Sequence, residues 1–112
     1  MSEPPASATV RFAAALAAEA EQSWRFRLFV AGATPASQRA VRNLTDLCRE
    51  HLADRFTLEV VDLYQHPERA VADEIIAAPT LTRLEPEPVL RIVGDLADRR
   101  QVLAHLNVRL NG

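Results

Sequence analysis

The chain has no lysine. All 13 basic residues are arginine, scattered along 112 positions, and 15 acidic residues leave a net charge of −2. That balance excludes the global basic field expected of a nucleic-acid or anionic-lipid binder. The arginine usage accompanies 19 alanines, the pattern of a GC-rich coding bias. There is a single cysteine, Cys48. A lone thiol excludes an intrachain disulfide and an all-cysteine metal site, and it fits a reducing compartment. No apolar run approaches the roughly 20 residues of a membrane helix. The alanine-rich stretch 13–18 is flanked by Arg11 and Glu19, with Glu3 where a basic leader would begin, so it is not read as a signal peptide. Cytoplasmic localisation is the expectation.

Glycine is also scarce, at three residues. The sequence has no phosphate loop, no nucleophile elbow and no zinc signature. His51, His66 and His105 lack ligand spacing, so neither a metal nor a cofactor is expected. Asp62 and Asp95 stand at a strand end and a helix start, where structural roles come first. Nothing in these residues argues for an enzyme.

What is present is the pattern of one small α/β domain. Residues 1–25 form an N-terminal extension, disordered over 1–7 and then helical over 9–23, with Trp24 as a packing anchor. Residues 26–31 (FRLFVA) read as a central strand, almost continuously apolar. Thr34 and Pro35 cap and open a helix running to about Leu52, striped by Val41, Leu44, Leu47, Cys48 and Leu52. Residues 56–63 form a second strand, which a right-handed crossover makes parallel to the first. A helix is expected over 67–77, with Val71, Ile75 and Ile76 inward. Strands over 80–84 and 89–93, joined by Glu85-Pro86-Glu87-Pro88, form an antiparallel hairpin. Gly94 ends the last strand. Asp95 is expected to cap a final helix to Leu106, with Leu96, Val102, Leu103 and Leu106 inward. Residues 109–112 are a tail.

This βαβ-α-ββ-α order, with a mixed four-stranded sheet, is the thioredoxin-like arrangement. Its redox chemistry needs two cysteines where the first strand meets the first helix. Here that place reads Thr34-Pro35-Ala36-Ser37, with hydroxyls at both positions. Cys48 lies deep in the helix stripe and reads as a core residue. Ala78-Pro79-Thr80 precedes the third strand, a place where thioredoxin-like domains commonly carry a cis proline that faces the redox pair.

Several blocks converge on one family. Residues 28–35 (LFVAGATP), 60–63 (VVDL), 76–81 (IAAPTL), 93–99 (VGDLADR) and the joint Pro86-Glu87-Pro88 resemble the KaiB family, in order over about residues 26–108. The resemblance implies a thioredoxin-like frame without a redox centre, used for protein binding. Clock KaiB binds the ATPase ring KaiC, and KaiB-type domains also occur fused to a sensor kinase. The implied function is a non-enzymatic regulator of a KaiC-type ATPase or a signalling kinase, in circadian or stress-related regulation. The resemblance also implies a homo-oligomer, dimer or tetramer, and a second half that can switch fold from about Pro67 onward. Arg39, Arg42, Arg83 and Arg91 keep part of the family's basic partner-binding set, while Pro79, Thr80, Gly94 and Asp95 form its structural turns. Glu59, Gln65, Glu74 and Leu90 stand where the family is often basic, which points to a divergent paralogue expected to rest in the thioredoxin-like form. Two other functions compete: a self-assembling stress or structural protein, and a thiol sensor using Cys48.

Overall fold

A computed structural model describes residues 22–108. The expected N-terminal helix and C-terminal tail lie outside the described residues. Four strands form one sheet in the order β2-β1-β3-β4. They are β1 (Trp24–Val30), β2 (Phe56–Asp62), β3 (Thr80–Glu85) and β4 (Leu90–Val93), with helices α1 (Pro35–His51), α2 (Glu68–Ala72) and α3 (Arg99–Leu106). β1 pairs in parallel with β2, from Trp24 opposite Phe56 to Val30 opposite Asp62. β3 is antiparallel to β1, and β4 is antiparallel to β3. The mixed four-stranded sheet expected from the sequence is present.

Alternation along β1 explains both of its apolar faces. Trp24, Phe26, Leu28 and Val30 join Leu44, Leu47 and Cys48 of α1 and Val102, Leu103 and Leu106 of α3 in the main core. Phe29 points the other way and packs with Val61 and Ile75, supported by Leu63 and Ala70. Trp24, placed by sequence at the end of a preceding segment, is instead the first residue of β1. Pro86 and Pro88 cannot donate to a ladder, so the joint between β3 and β4 stays outside the sheet.

Two helices depart from expectation. The helix foreseen over 67–77 is the five-residue α2. It ends because Glu74 adopts φ 55°. The Ile75 N–H then bonds to the Ala70 carbonyl at 2.8 Å and the Glu74 N–H to Val71 at 3.2 Å. This is a Schellman closure, with Ile75 folding back onto Ala70. Of the three residues expected inward, only Ile75 is buried; Val71 and Ile76 face solvent. The last helix is not capped by Asp95. α3 starts at Arg99, and the Asp98 carboxylate accepts the Gln101 N–H at 3.2 Å. Residues 94–98 are needed to carry the chain from β4 to α3, and Leu96 anchors that passage in the core.

After α1, Ala53 sits at φ 51°, a conformation that costs a residue with a Cβ. Ala53→Gly is expected to raise stability by about 0.5–1 kcal/mol, read as a higher urea midpoint with an unchanged slope.

Candidate protein-binding site at the loop end of the sheet

The carboxyl ends of β1 and β2 deliver the loops that, in this arrangement, carry chemistry. Gly32 turns out of β1 at φ 60°. Its N–H donates to the Asp62 carboxylate at 3.0 Å, and the same oxygen accepts the Tyr64 N–H at 2.9 Å. The Tyr64 ring lies so close to Gly32 that a Cβ there would stand 2.7 Å from it. One aspartate at the end of β2 therefore ties the β1–α1 turn to the turn after β2.

At the start of α1 the two hydroxyls hold each other. Thr34 Oγ1 donates to Ser37 Oγ at 2.9 Å and accepts the Ser37 N–H at 3.4 Å. Ser37 Oγ also accepts the Ala31 N–H at 3.0 Å, and Ser37 is buried. The positions that would carry sulfur in a redox enzyme are spent on capping the helix and closing the turn. Ser37→Ala orphans the part-buried Ala31 N–H, with an expected cost of about 1–2 kcal/mol in urea denaturation; exposed Arg42→Ala should stay within about 0.5 kcal/mol.

Opposite this turn, the Ala78-Pro79 peptide is cis. The Pro79 carbonyl accepts the Gly94 N–H at 2.9 Å, and the Thr80 hydroxyl donates to Ala77 at 2.6 Å. Pro79, Thr80 and Gly94 are thus joined in one turn system.

Asp95 belongs to a different contact. Arg39 Nε donates to its carboxylate at 2.9 Å, and Asn43 donates to its carbonyl at 2.8 Å. The Arg39 hydrogen bond, helped by the Ala97 N–H, holds the Asp95 carboxyl below the ordinary range.

The four arginines expected at a partner surface are dispersed. Arg39 and Arg42 are exposed on α1. Arg91 lies across the sheet, where its guanidinium donates to the carbonyls of Asp73 and Glu74. Arg83 is not a surface residue: it is 3% exposed, donates to the Leu106 and Pro88 carbonyls, and lies over the Trp24 ring at 5.7 Å. Its parity in β3 matches Leu81, so it points into the main core.

The sequence offered no sign of a charge network that docks α2 on the sheet. Arg27 holds Glu59 at 2.6 Å and Asp73 at 3.6 Å, while Arg69 holds the same two acids at 3.6 and 3.5 Å. The Arg27 hydrogen bond keeps the Glu59 carboxyl below its usual range. Glu59, a departure from the family's charge pattern, is therefore used internally.

Cys48 is fully buried, and burial pushes its thiol up to about 12. A thiol held protonated in the core is a poor nucleophile, which removes the ground for a Cys48 sensor. Among the described residues no cluster of three metal-ligating side chains occurs, and no helix is long and apolar enough to cross a membrane.

Known proteins match this frame at two levels. The family model described as "KaiB domain" matches residues 27–108. The chain belongs to the KaiB family. Circadian clock oscillator protein KaiB of Prochlorococcus marinus (strain MIT 9313) is 41% identical over 87 residues, covering 78% of this chain and 73% of that protein. Its counterpart in Nostoc sp. is 38% identical over 90 residues, covering 80% and 83%. Among solved structures, the N-terminal domain of Synechococcus elongatus SasA aligns with a TM-score of 0.62 at 22% identity, over 81% of this chain and 90% of that one. Chloroplastic thioredoxin z aligns with a TM-score of 0.62 at 18% identity, over 85% and 88%. At those identities the two structures establish the fold, which is thioredoxin-like.

Proposed function

We propose that this KaiB-family chain is a cytoplasmic regulator that works by binding another protein, a KaiC-type ATPase or a signalling kinase, and that it catalyses no reaction of its own. Family membership over residues 27–108 carries this reading, since the relatives are circadian clock oscillator proteins. The local geometry agrees with it. The redox positions hold hydroxyls committed to the helix cap, and the one thiol is sealed in the core. The thioredoxin-like frame is left with rigid loops and exposed side chains to offer a partner. Circadian or stress-related regulation is the setting, and self-association into a dimer or tetramer accompanies it.

Size-exclusion chromatography tests the proposal. The full chain is mixed with the KaiC-type ATPase of its own genome, and separately with any kinase there that carries a KaiB-type sensor domain. Co-elution with either at micromolar concentration is the expected result; absence of a complex with both would overturn the reading.

A further inference from the structure

Among the described residues, the most exposed large apolar side chains lie not in a floppy loop but on a segment tied down from several sides. Val71 is 82% exposed and Ile76 is 99% exposed. Between them the Schellman closure fixes the backbone, with Ile75 buried against Phe29 and Val61. Arg91 reaches across from β4 to hold the carbonyls of Asp73 and Glu74. Arg27 and Arg69 hold the Asp73 carboxylate. Beyond Ile76, the bond from Gly94 N–H to the Pro79 carbonyl pins the next turn. Two β-branched side chains are therefore presented to solvent on a braced platform, with little rotamer freedom left to lose on binding. Such preorganisation is what an interface anchor requires.

The charge around them is acidic on balance, with Glu59, Glu68, Asp73 and Glu74 against Arg27, Arg69 and Arg91. Arg27 and Arg69 are balanced by Glu59 and Asp73, whereas Arg91 donates to backbone carbonyls and keeps its charge. Glu74 forms no ion pair among the described residues, and Glu68 has only His66 beside it, at 3.5 Å. Among the described residues, the rim of the apolar pair thus carries two carboxylates without a guanidinium partner, Glu68 and Glu74, against the single unmatched cation Arg91. A second copy of the chain would bring the same acidic rim against itself, which disfavours self-pairing here.

We propose that Val71 and Ile76, with Glu74 between them, form the surface through which this chain docks on its partner, and that the partner presents an apolar cleft bordered by arginine or lysine. The proposal rests on the binding function above and names its surface, which lies across the sheet from Arg39 and Arg42.

The test places a photo-crosslinking benzoylphenylalanine at position 76 in one full-length chain and at position 42 in another, each expressed in the native host and irradiated in the cell. Both positions are exposed, so neither replacement disturbs the core. Position 76 is expected to trap one protein through a peptide containing lysine or arginine beside apolar residues, with position 42 at background. Glu74→Lys in the position-76 chain should lower the yield at least about tenfold, because like charges then meet across the contact. Capture from position 42 instead of 76, an acidic contact peptide, a second copy of the chain as the only product, a yield indifferent to Glu74→Lys, or no capture at either site would each overturn the surface. If position 76 traps a protein with the expected basic contact that is neither a KaiC-type ATPase nor a kinase, the surface stands and the function proposed above fails.

Discussion

Replacing Arg83 with alanine is expected to destabilise the chain by about 3 kcal/mol, a large share of a small domain's stability. The guanidinium donates to the last turn of α3 at Leu106 and to the proline joint at Pro88, and its flat face covers Trp24. Alanine leaves both carbonyls without their donor and opens a cavity beside the indole. Arg83→Met should cost less, about 1–2 kcal/mol. Its unbranched stem fills much of the space that alanine leaves empty, while both substitutions remove a buried Nε that has no partner among the described residues. Trp24 is the chain's one tryptophan, so its fluorescence reports the loss directly during urea unfolding. Equal and negligible costs for Arg83→Ala and Arg42→Ala would return Arg83 to the surface.

The second large effect belongs to alkaline pH. The Cys48 thiol is pushed from 9.0 to about 12 by burial. Above about pH 9 the unfolded chain releases this proton while the folded chain keeps it. The folded state then binds more protons, so stability falls as pH rises from about 9 to about 12. A shift of that size amounts to about 4 kcal/mol across the window. The chain has no lysine, so few other groups titrate there to obscure the slope. Cys48→Ala is expected to cost about 1 kcal/mol at pH 7 through the lost packing, and to remove this component of the alkaline slope. Urea midpoints from pH 7 to pH 11 check both. At neutral pH the same burial lowers the native thiolate fraction by about 10³ relative to an ordinary thiol, so labelling by iodoacetamide should await unfolding.

These two residues also mark how far sequence reading reached. Cys48 was legible because the α1 stripe repeats at helical spacing, and position 48 falls within it. The β1–α1–β2 unit was legible for similar reasons: a continuous apolar strand, a Thr-Pro helix start and a second apolar strand at crossover distance. Pro86 and Pro88 marked the hairpin joint. Arg83 was misread because its charge outweighed its position. In Thr80-Leu81-Thr82-Arg83 it has the parity of Leu81, and β3 is an inner strand with its Leu81 face in the main core. Parity plus strand order places it inside, but strand order is a tertiary fact.

The short α2 was hidden for another reason. Its stop depends on a left-handed residue, and glutamate at position 74 does not announce one as glycine would. Asp95 and Asp98 both stand before a helix pattern, and the choice between them depended on how far β4 lies from α3. The Glu59 pairings join β2 to α2 across the sheet face, so no local spacing reveals them. At the candidate site, the hydroxyls at Thr34 and Ser37 and the turn at Pro79 were readable by position. The platform of Val71, Glu74 and Ile76 was not, because periodicity assigned both apolar residues to the core.

We propose that this thioredoxin-like frame, with hydroxyls at the redox positions and its thiol in the core, works by binding and without thiol chemistry. Isothermal titration of the intact chain into the KaiC-type ATPase of its own genome, and separately into a kinase there with a KaiB-type sensor domain, tests both halves, run once with reductant and once after peroxide treatment of the chain. A saturable complex with one of them, of the same affinity in both conditions within about twofold, is the expected result. No binding to either partner in either condition, or an affinity that changes more than about tenfold with redox state, would contradict it.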